Sequence, residues 1–217
     1  AGLVKGASKG EGLGNQFLSN IRLTDAICHV VRCFDDADIT HVEGSVDPLR
    51  DIEIINLELI MADIQTIENR ISKIERKAKT NKDKDALSEL ALMERIHQTL
   101  SEGKAARSVD MNDDEAELIK NFSLLTMKPM IYVANMSEES ITDPNTNSYF
   151  QQVLSFAQSE NNIAIPICAK IEEELSGLDK EEKQEFLLEL GIKESGLDKV
   201  IKAAYRILDL CTFLTAG

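Results

Sequence analysis

The stretch AICHVVRCF, residues 26 to 34, is an almost uninterrupted run of apolar and β-prone residues. Such a run predicts a strand that is buried on both faces, which is typical of a parallel sheet covered by helices. Two similar runs follow, PMIYVAN at residues 129 to 135 and IAIPIC at residues 163 to 168, and a helical pattern at residues 149 to 159 separates them. The order strand, helix, strand predicts an α/β fold with a doubly wound sheet.

A long helical pattern lies between the first two of these strands. From Asp51 to Ile74 the apolar residues recur mostly at spacings of three and four, and a second helical stretch covers residues 86 to 100. A polar segment around Asn81 connects the two. The pattern predicts two amphipathic helices that form an antiparallel hairpin. Shorter helices are predicted at residues 113 to 118, 170 to 176, 180 to 190 and 195 to 210.

The composition excludes several classes of protein. The 217 residues include 38 Asp and Glu against 24 Lys and Arg, which gives a net charge of -14. That charge argues against a dedicated nucleic-acid surface, although a local basic patch remains compatible with it. The sequence has neither an apolar run of the roughly 18 residues that span a bilayer nor the layout of a signal peptide. We therefore expect a cytoplasmic protein without a membrane partner.

The cysteines and histidines do not form a pattern for metal binding or covalent catalysis. Four cysteines are scattered through apolar segments without a C-x-x-C pair, so we expect reduced and mostly buried thiols. The three histidines are far apart and are expected to be structural. The four cysteines are Cys28, Cys33, Cys168 and Cys211, and the three histidines are His29, His41 and His97.

Three short segments are candidates for a ligand site. The opening AGLVKGASKGEGLG carries five glycines in residues 1 to 14, which predicts a loop that can approach a ligand closely. The other two segments are NMSE at residues 135 to 138 and CAK at residues 168 to 170, each directly after a predicted strand. Doubly wound sheets bind ligands at the carboxyl ends of their strands. Taken singly, each segment is also compatible with an ordinary turn, with Ser137 as a helix cap.

Together, in this order and with the hairpin between the first and the second, these segments resemble the Obg-like ATPases of the YchF type. These proteins are translation-factor-related P-loop NTPases. The resemblance covers essentially the whole chain and includes the run ICHVVRCFDDADITHVEGSVDPLRDIEIINLELI at residues 27 to 60. It implies a P-loop NTPase-like doubly wound sheet with an inserted, coiled-coil-like helical hairpin.

The resemblance also implies a domain layout. Residues 1 to 49 would be the first part of the nucleotide-binding domain, with the second switch and the strand after it. Residues 50 to 110 would be the inserted helical domain, and residues 111 to 212 would be the second part of the nucleotide-binding domain. Residues 213 to 217 would begin a C-terminal TGS domain. Because the sequence starts at Ala1 and contains no G-x-x-x-x-G-K-[ST] motif, we expect a fragment of a longer protein that is nearly inactive alone.

The first segment resembles the second switch of this family. Gly2 corresponds to the glycine whose backbone N–H senses the γ-phosphate. Leu3 stands where many related GTPases carry the glutamine that orients the attacking water. A leucine cannot hydrogen-bond water, so the resemblance implies that another, unidentified group fills this catalytic role.

The second segment resembles the guanine-reading motif Asn-Lys-x-Asp in altered form. Here it reads Asn135, Met136, Ser137 and Glu138, so methionine replaces lysine and the carboxylate is one methylene longer. A displaced carboxylate loses its paired contact with guanine, and the family is known for this variant and for preferring ATP to GTP. The expected roles are a brace between loops for Asn135, contact with the base for Met136, and a place near the base edge for Glu138.

The third segment resembles the Ser-Ala-Lys motif, whose backbone N–H groups and lysine stem pack around the base. Cys168 replaces the serine and is followed by Ala169 and Lys170. A thiol is a weaker hydrogen-bond donor than a hydroxyl. Its position near the nucleotide suggests the hypothesis that oxidation of Cys168 modulates binding.

The resemblance implies a switch ATPase that hydrolyses ATP to ADP and phosphate with Mg²⁺, whose ligands would lie outside this sequence. It also implies a ribosome partner, which the helical hairpin would contact through RNA phosphates. The alternatives are a solvated charged surface on the hairpin, a non-catalytic nucleotide-sensing ribosome-binding module, an Obg-class GTPase, and a helical scaffold without nucleotide response. The basic residues near the hairpin tip are Lys73, Arg76, Lys77, Lys79, Lys82 and Lys84.

Overall fold

The computed structural model describes residues 13–36, 38–39, 44–81 and 84–215. Residues 1–12 of the glycine-rich segment, including Gly2 and Leu3, lie outside the described residues, as do His41 and the hairpin residues 82 and 83. The strands are β1 (Ile27–Arg32), β2 (Met130–Asn135) and β3 (Ile163–Ile167). The helices are α1 (Leu13–Arg22), α2 (Pro48–Asn81), α3 (Lys84–Ser101), α4 (Asp113–Lys120), α5 (Glu138–Ile141), α6 (Ser148–Ser159), α7 (Ala169–Ser176), α8 (Lys180–Glu189) and α9 (Gly196–Ile207).

The chain divides into two compact units. The helical unit contains the chain up to Asp25 together with Glu53–Lys128. The sheet unit contains Ala26–Ile52 and Pro129–Gly217. Each unit therefore consists of two separate stretches of sequence, and the stretches of the two units alternate along the chain.

The sheet unit has parallel strands in the order β1, β2, β3 with helices on both faces. On one face, Ile131, Val133 and Ile165 form an apolar cluster with Ala203 of α9. On the other face, the Tyr132 ring meets the Phe156 ring of α6 edge to face, with centroids 5.6 Å apart. This two-sided cover buries β2 almost completely and confirms the predicted α/β class.

The prediction that the first strand is buried on both faces is wrong. Cys28 is exposed and the Val30 side chain is 63% exposed, whereas Val31 on the opposite face is buried. The parallel register places Cys28 and Val30 beside Ile131 and Val133, which α9 covers. Helix α9 packs on β2 and β3, so the same face of β1 at the sheet edge stays open in the described part of the chain.

The helical unit is built on the predicted hairpin of α2 and α3. Its apolar core contains Ile67, Ile74, Leu92, Met93 and Ile96, all of them buried. Two side-chain contacts between the helices, Arg70 with Glu89 and Glu68 with His97 at 3.3 Å, show that they run antiparallel. The predicted amphipathic pattern therefore corresponds to the buried stripe of the hairpin.

The helical unit extends to Lys128, whereas the resemblance implied an end near residue 110. Ile119 and Leu124 belong to the same apolar core as the hairpin. The buried Asp63 carboxylate of α2 accepts hydrogen bonds from the backbone N–H groups of Leu125, at 2.9 Å, and Thr126, at 2.7 Å. Burial raises the pKa of Asp63, although these hydrogen bonds act in the opposite direction. Packing and these hydrogen bonds together hold α4 and the following turn on the hairpin.

The described residues also test the expectations for the cysteines and for membrane insertion. All four cysteines are free thiols, but only Cys33 and Cys168 are buried, so the expectation of mostly buried thiols fails for Cys28 and Cys211. Burial raises the pKa of Cys33 to about 12. Among the helices described, none has the length and apolar character needed to cross a bilayer.

Candidate functional site

The candidate site lies where the three parallel strands end. The register places Arg32, Asn135 and Ile167 side by side at the carboxyl ends of β1, β2 and β3. The segments NMSE and CAK leave the sheet at this edge. A parallel α/β sheet offers its ligand-binding crevice here, because the loops on this edge diverge to opposite faces.

Asn135 connects the ends of all three strands. Its side-chain Oδ1 accepts a hydrogen bond from the backbone N–H of Ala169 at 2.9 Å. Its backbone carbonyl accepts from the N–H of Cys33 at 2.8 Å. The next residue, Met136, donates its N–H to the carbonyl of Ile167, also at 2.8 Å. These bonds bring together the two segments that sequence analysis selected separately, in the geometry expected of a brace.

A second contact between the segments joins Glu138 and Lys170. The Lys170 Nζ lies 2.9 Å from Glu138 Oε1. The hydrogen bond to Glu138, supported by the charges of Glu138 and then Glu174, raises the pKa of Lys170. Both side chains are largely exposed, at 68% for Lys170 and 44% for Glu138, so solvent screens the pair. The Glu138 carboxylate is therefore held at the site by a cation from the other segment.

The remaining predicted residues of the two segments differ in accessibility. Met136 is buried, with 1% of its surface exposed, so its side chain belongs to the interior of the sheet unit. Cys168 is also buried, at 3%. Ser137 occupies the N-cap position of α5 without a capping hydrogen bond, and its Oγ lies 3.0 Å from that of Ser140.

Sequence analysis missed the loop that follows β1 at the same edge. The Tyr149 hydroxyl donates to Asp35 Oδ2 at 3.1 Å, and the Asn147 amide donates to the Cys33 carbonyl at 3.2 Å. The hydrogen bond to Asp35 raises the pKa of Tyr149. The rule that strand ends carry function could have selected Asp35, because it closely follows the first predicted strand. Its partner Tyr149 on α6 lies 114 residues away along the chain, so the sequence offered no signal for the pairing.

The basic residues of the hairpin are only partly described. Lys73, Arg76 and Lys77 near the end of α2, and Lys84 at the start of α3, are exposed. Lys82 and the side chain of Lys79 lie outside what the structure describes. The four described residues therefore place positive charge at the end of the hairpin, within a chain of net charge -14.

The described residues were also compared with what a metal ion requires. Within the described ranges, no group of three His, Cys, Asp or Glu side chains is placed to hold a metal. These residues therefore do not by themselves form a carboxylate site for Mg²⁺.

The whole chain is similar in sequence to known proteins. No family model matches the chain. A Bacillus subtilis protein named Ribosome-binding ATPase YchF is 54% identical over 217 residues, all of this chain and 59% of the relative. The Escherichia coli O157:H7 protein of the same name is 48% identical over the same shares. The chain thus spans about three fifths of the length of these curated relatives.

A solved structure supports the same relationship. The Schizosaccharomyces pombe YchF GTPase matches with a TM-score of 0.83 and 39% identity, over 99% of this chain and 58% of that one. A match of this extent includes both the parallel sheet and the helices that the described residues form here. The chain is therefore similar along nearly its full length to proteins named YchF, from two bacteria and from S. pombe.

Proposed function

We propose that the protein containing this chain is an ATPase of the YchF kind that binds ATP at the edge formed by NMSE and CAK. The observation that carries the proposal is the joining of these segments by the Asn135–Ala169 hydrogen bond and the Glu138–Lys170 ion pair. Two segments at the carboxyl ends of adjacent parallel strands form the kind of crevice in which such sheets bind nucleotides. The names of the B. subtilis and E. coli relatives support the ATPase activity.

The proposal includes a preference for adenine over guanine. Guanine recognition needs a carboxylate that accepts hydrogen bonds from both the N1–H and the exocyclic amine of the base. Glu138 is longer than the usual aspartate, and its carboxylate already accepts from Lys170. A site that leaves the guanine donors unpaired discriminates against that base. The names of the relatives differ here, since two are called ATPases and the S. pombe protein a GTPase.

Hydrolysis would need groups beyond those described. The γ-phosphate sensor would be Gly2, with Leu3 in the place of the water-orienting glutamine. The phosphate-binding loop and the Mg²⁺ ligands would come from other parts of the full-length protein. Hydrolysis of ATP to ADP and phosphate would then change the conformation of the second switch, which is how related NTPases signal their nucleotide state.

We also propose that the ribosome is the partner and that the end of the hairpin contacts its RNA. The relatives are named ribosome-binding, and the exposed cations Lys73, Arg76, Lys77 and Lys84 supply charges that can neutralise phosphates. The excess negative charge of the chain would orient the approach, because it repels RNA from other surfaces.

An equilibrium titration tests the nucleotide proposal. The full-length protein is titrated with fluorescent analogues of ATP and GTP in the presence of Mg²⁺. We expect ATP to bind about tenfold more tightly, which corresponds to about 1.4 kcal/mol. Tighter binding of GTP would contradict the adenine preference, and binding of neither nucleotide would contradict the proposed site.

A further inference from the structure

The ion pair between Glu138 and Lys170 joins the two segments of the candidate site. Lys170 lies in the first turn of α7, and Glu138 is the first residue of α5. The N–H of Ala169, the residue before Lys170, donates to the Asn135 side chain, and the N–H of Met136, two residues before Glu138, donates to the Ile167 carbonyl. The backbone that carries both charges is thus anchored, so the pair forms between two fixed loop ends.

The chemistry of the pair bears directly on base recognition. A carboxylate at this edge can accept the two guanine donors only if its oxygens are available. Here Oε1 of Glu138 accepts from the Lys170 ammonium at 2.9 Å. A guanine base would have to compete with this ammonium for the carboxylate. Adenine has no N1–H and no 2-amino group, so its binding does not require the pair to separate.

We propose that Lys170 is a specificity-determining residue, which disfavours GTP by holding the Glu138 carboxylate away from guanine. The inference rests on the proposed nucleotide site and adds a second cause of selectivity beside the length of the glutamate side chain. The pair is exposed and screened by solvent, so about a fivefold change in an affinity ratio is the upper end of what it can contribute. Lys170 therefore accounts for at most about a fivefold part of the preference for ATP.

Negative groups near Lys170 favour its charged form. The residues that act on Lys170 besides Glu138 are Glu174, one helical turn along α7, and Cys168, and both favour the ammonium form. The pKa of Lys170 is raised above its ordinary value, so the ammonium is retained throughout the neutral range. Lys170 is accordingly a cation under the conditions in which nucleotide binding is measured.

The test compares three variants of the full-length protein. Lys170→Met keeps most of the aliphatic stem that can pack on a base but removes the charge, and Lys170→Arg keeps the charge. Lys202→Met is the matched control, because Lys202 of α9 is 73% exposed and pairs with Glu194 at 2.5 Å. The ratio of the dissociation constants for the fluorescent GTP and ATP analogues is measured for each. Both analogues carry the same phosphates, so any lost attraction between Lys170 and the phosphates cancels in this ratio.

We expect the GTP-to-ATP ratio to fall in Lys170→Met, by up to about fivefold, and to stay near the wild-type value in Lys170→Arg and Lys202→Met. The double variant Glu138→Gln/Lys170→Met shows whether Lys170 acts through Glu138, because its ratio should then equal that of Glu138→Gln alone.

Several outcomes would overturn the inference. If Lys170→Met binds ATP and its GTP-to-ATP ratio equals that of the wild type, the inference is wrong but the proposed function still stands. An equal fall in Lys202→Met, or a fall on adding Lys170→Met to the Glu138→Gln variant, would also overturn it. A wild-type protein that binds neither nucleotide would overturn the proposed function itself.

Discussion

At the scale of single residues, His29 shows how burial on a sheet face changes ionisation. It lies on β1 with its ring centroid 5.7 Å from that of Tyr132, and its Nδ1 is buried without a hydrogen-bond partner among the described residues. Burial lowers the pKa of His29 to about 4, although the charge of Asp51 acts in the opposite direction. The imidazole is therefore neutral in the folded protein at neutral pH.

This pKa shift makes stability depend on pH. The unfolded histidine has its ordinary pKa of about 6.5, so between pH 6.5 and 4 the unfolded state binds more protons than the folded state. The free energy of unfolding should fall as the pH drops through this window, by about 3 kcal/mol at most. Urea unfolding at pH 7.5, 6.0 and 5.0 measures the effect.

His29→Phe keeps an aromatic ring beside Tyr132 and cannot titrate, whereas His97→Gln removes a half-buried histidine of the helical unit as a control. The fall in stability from pH 7.5 to 5.0 should be smaller in His29→Phe and unchanged in His97→Gln. Carboxylates titrate in all three proteins, so the difference isolates His29. Equal falls in wild type and His29→Phe would contradict the assigned shift.

Asn135 is the residue whose loss should affect both loops of the site. Asn135→Ala removes the acceptor of the Ala169 N–H, and one such hydrogen bond contributes about 1 kcal/mol. We expect ATP affinity to fall about fivefold or more, since the CAK segment loses its fixed position. Asn121→Ala is the control, because Asn121 makes a similar side-chain contact with the Leu118 carbonyl in the helical unit. Equal ATP affinities in Asn135→Ala and Asn121→Ala would count against the brace.

The residues of the candidate site were predictable, but their contacts were not. Asn135, Glu138, Ala169 and Lys170 were selected because they follow predicted strands and resemble known motifs. The Asn135–Ala169 bond joins positions 34 residues apart, and a pairing of that kind follows from strand register. The burial of Met136 was also not predictable, because a methionine after a strand is compatible with either an interior or a ligand-facing position.

At the scale of elements, the start of α9 is fixed against α7 and β3. The Glu172 carboxylate of α7 accepts hydrogen bonds from the N–H groups of Gly196, at 2.6 Å, and Leu197, at 3.1 Å. A Cβ atom built on Gly196 would lie 2.9 Å from Cγ2 of Ile167 and 2.9 Å from Oε1 of Glu172. The close approach of α9 to the last residue of β3 therefore requires glycine at this position.

Gly196→Ala should consequently destabilise the protein by about 1 to 3 kcal/mol, the usual cost of overpacking. Gly177→Ala is the matched control, because a Cβ there has only an ordinary contact of 3.9 Å and the backbone is right-handed helical. Its effect should be neutral or slightly stabilising, since alanine restricts the unfolded chain. Thermal and urea unfolding of both variants measure the difference. If Gly196→Ala is as stable as Gly177→Ala, α9 does not approach β3 as described.

The elements themselves were largely predictable from hydrophobic spacing. The helix predicted from Asp51 begins at Pro48, which suits the first turn of a helix, and the second hairpin helix covers the predicted residues. All three strands occur within the predicted runs. The exposed face of β1 was not predictable, because an apolar run gives the character of the side chains and not which helix covers each strand.

At the scale of the whole molecule, charge is distributed unevenly. The chain carries a net charge of -14, yet α2 ends with a cluster of exposed cations. Reversing three of them to glutamate, at Lys73, Arg76 and Lys77, should weaken co-sedimentation of the full-length protein with ribosomes about tenfold or more at low salt. The reason is that each lost phosphate contact also removes the gain from counterion release.

The matched control reverses two lysines and one arginine that are exposed in the sheet unit, namely Lys180, Lys193 and Arg206. This control changes the net charge by the same amount. Co-sedimentation should therefore be weakened much more by the hairpin variant than by the control. Equal losses would assign the effect to net charge alone, and no loss in either variant would exclude the hairpin end as a ribosome contact.

The proposed function places the base of ATP against the segments NMSE and CAK. Hydrogen–deuterium exchange of the full-length protein, with and without saturating Mg²⁺-ATP, tests this placement. Exchange should slow in peptides covering residues 135–141 and 168–176, because the bound base covers their amides and stabilises the contacts of Asn135. If ATP is bound and exchange in both peptides stays unchanged, the nucleotide lies elsewhere and the proposed site is wrong.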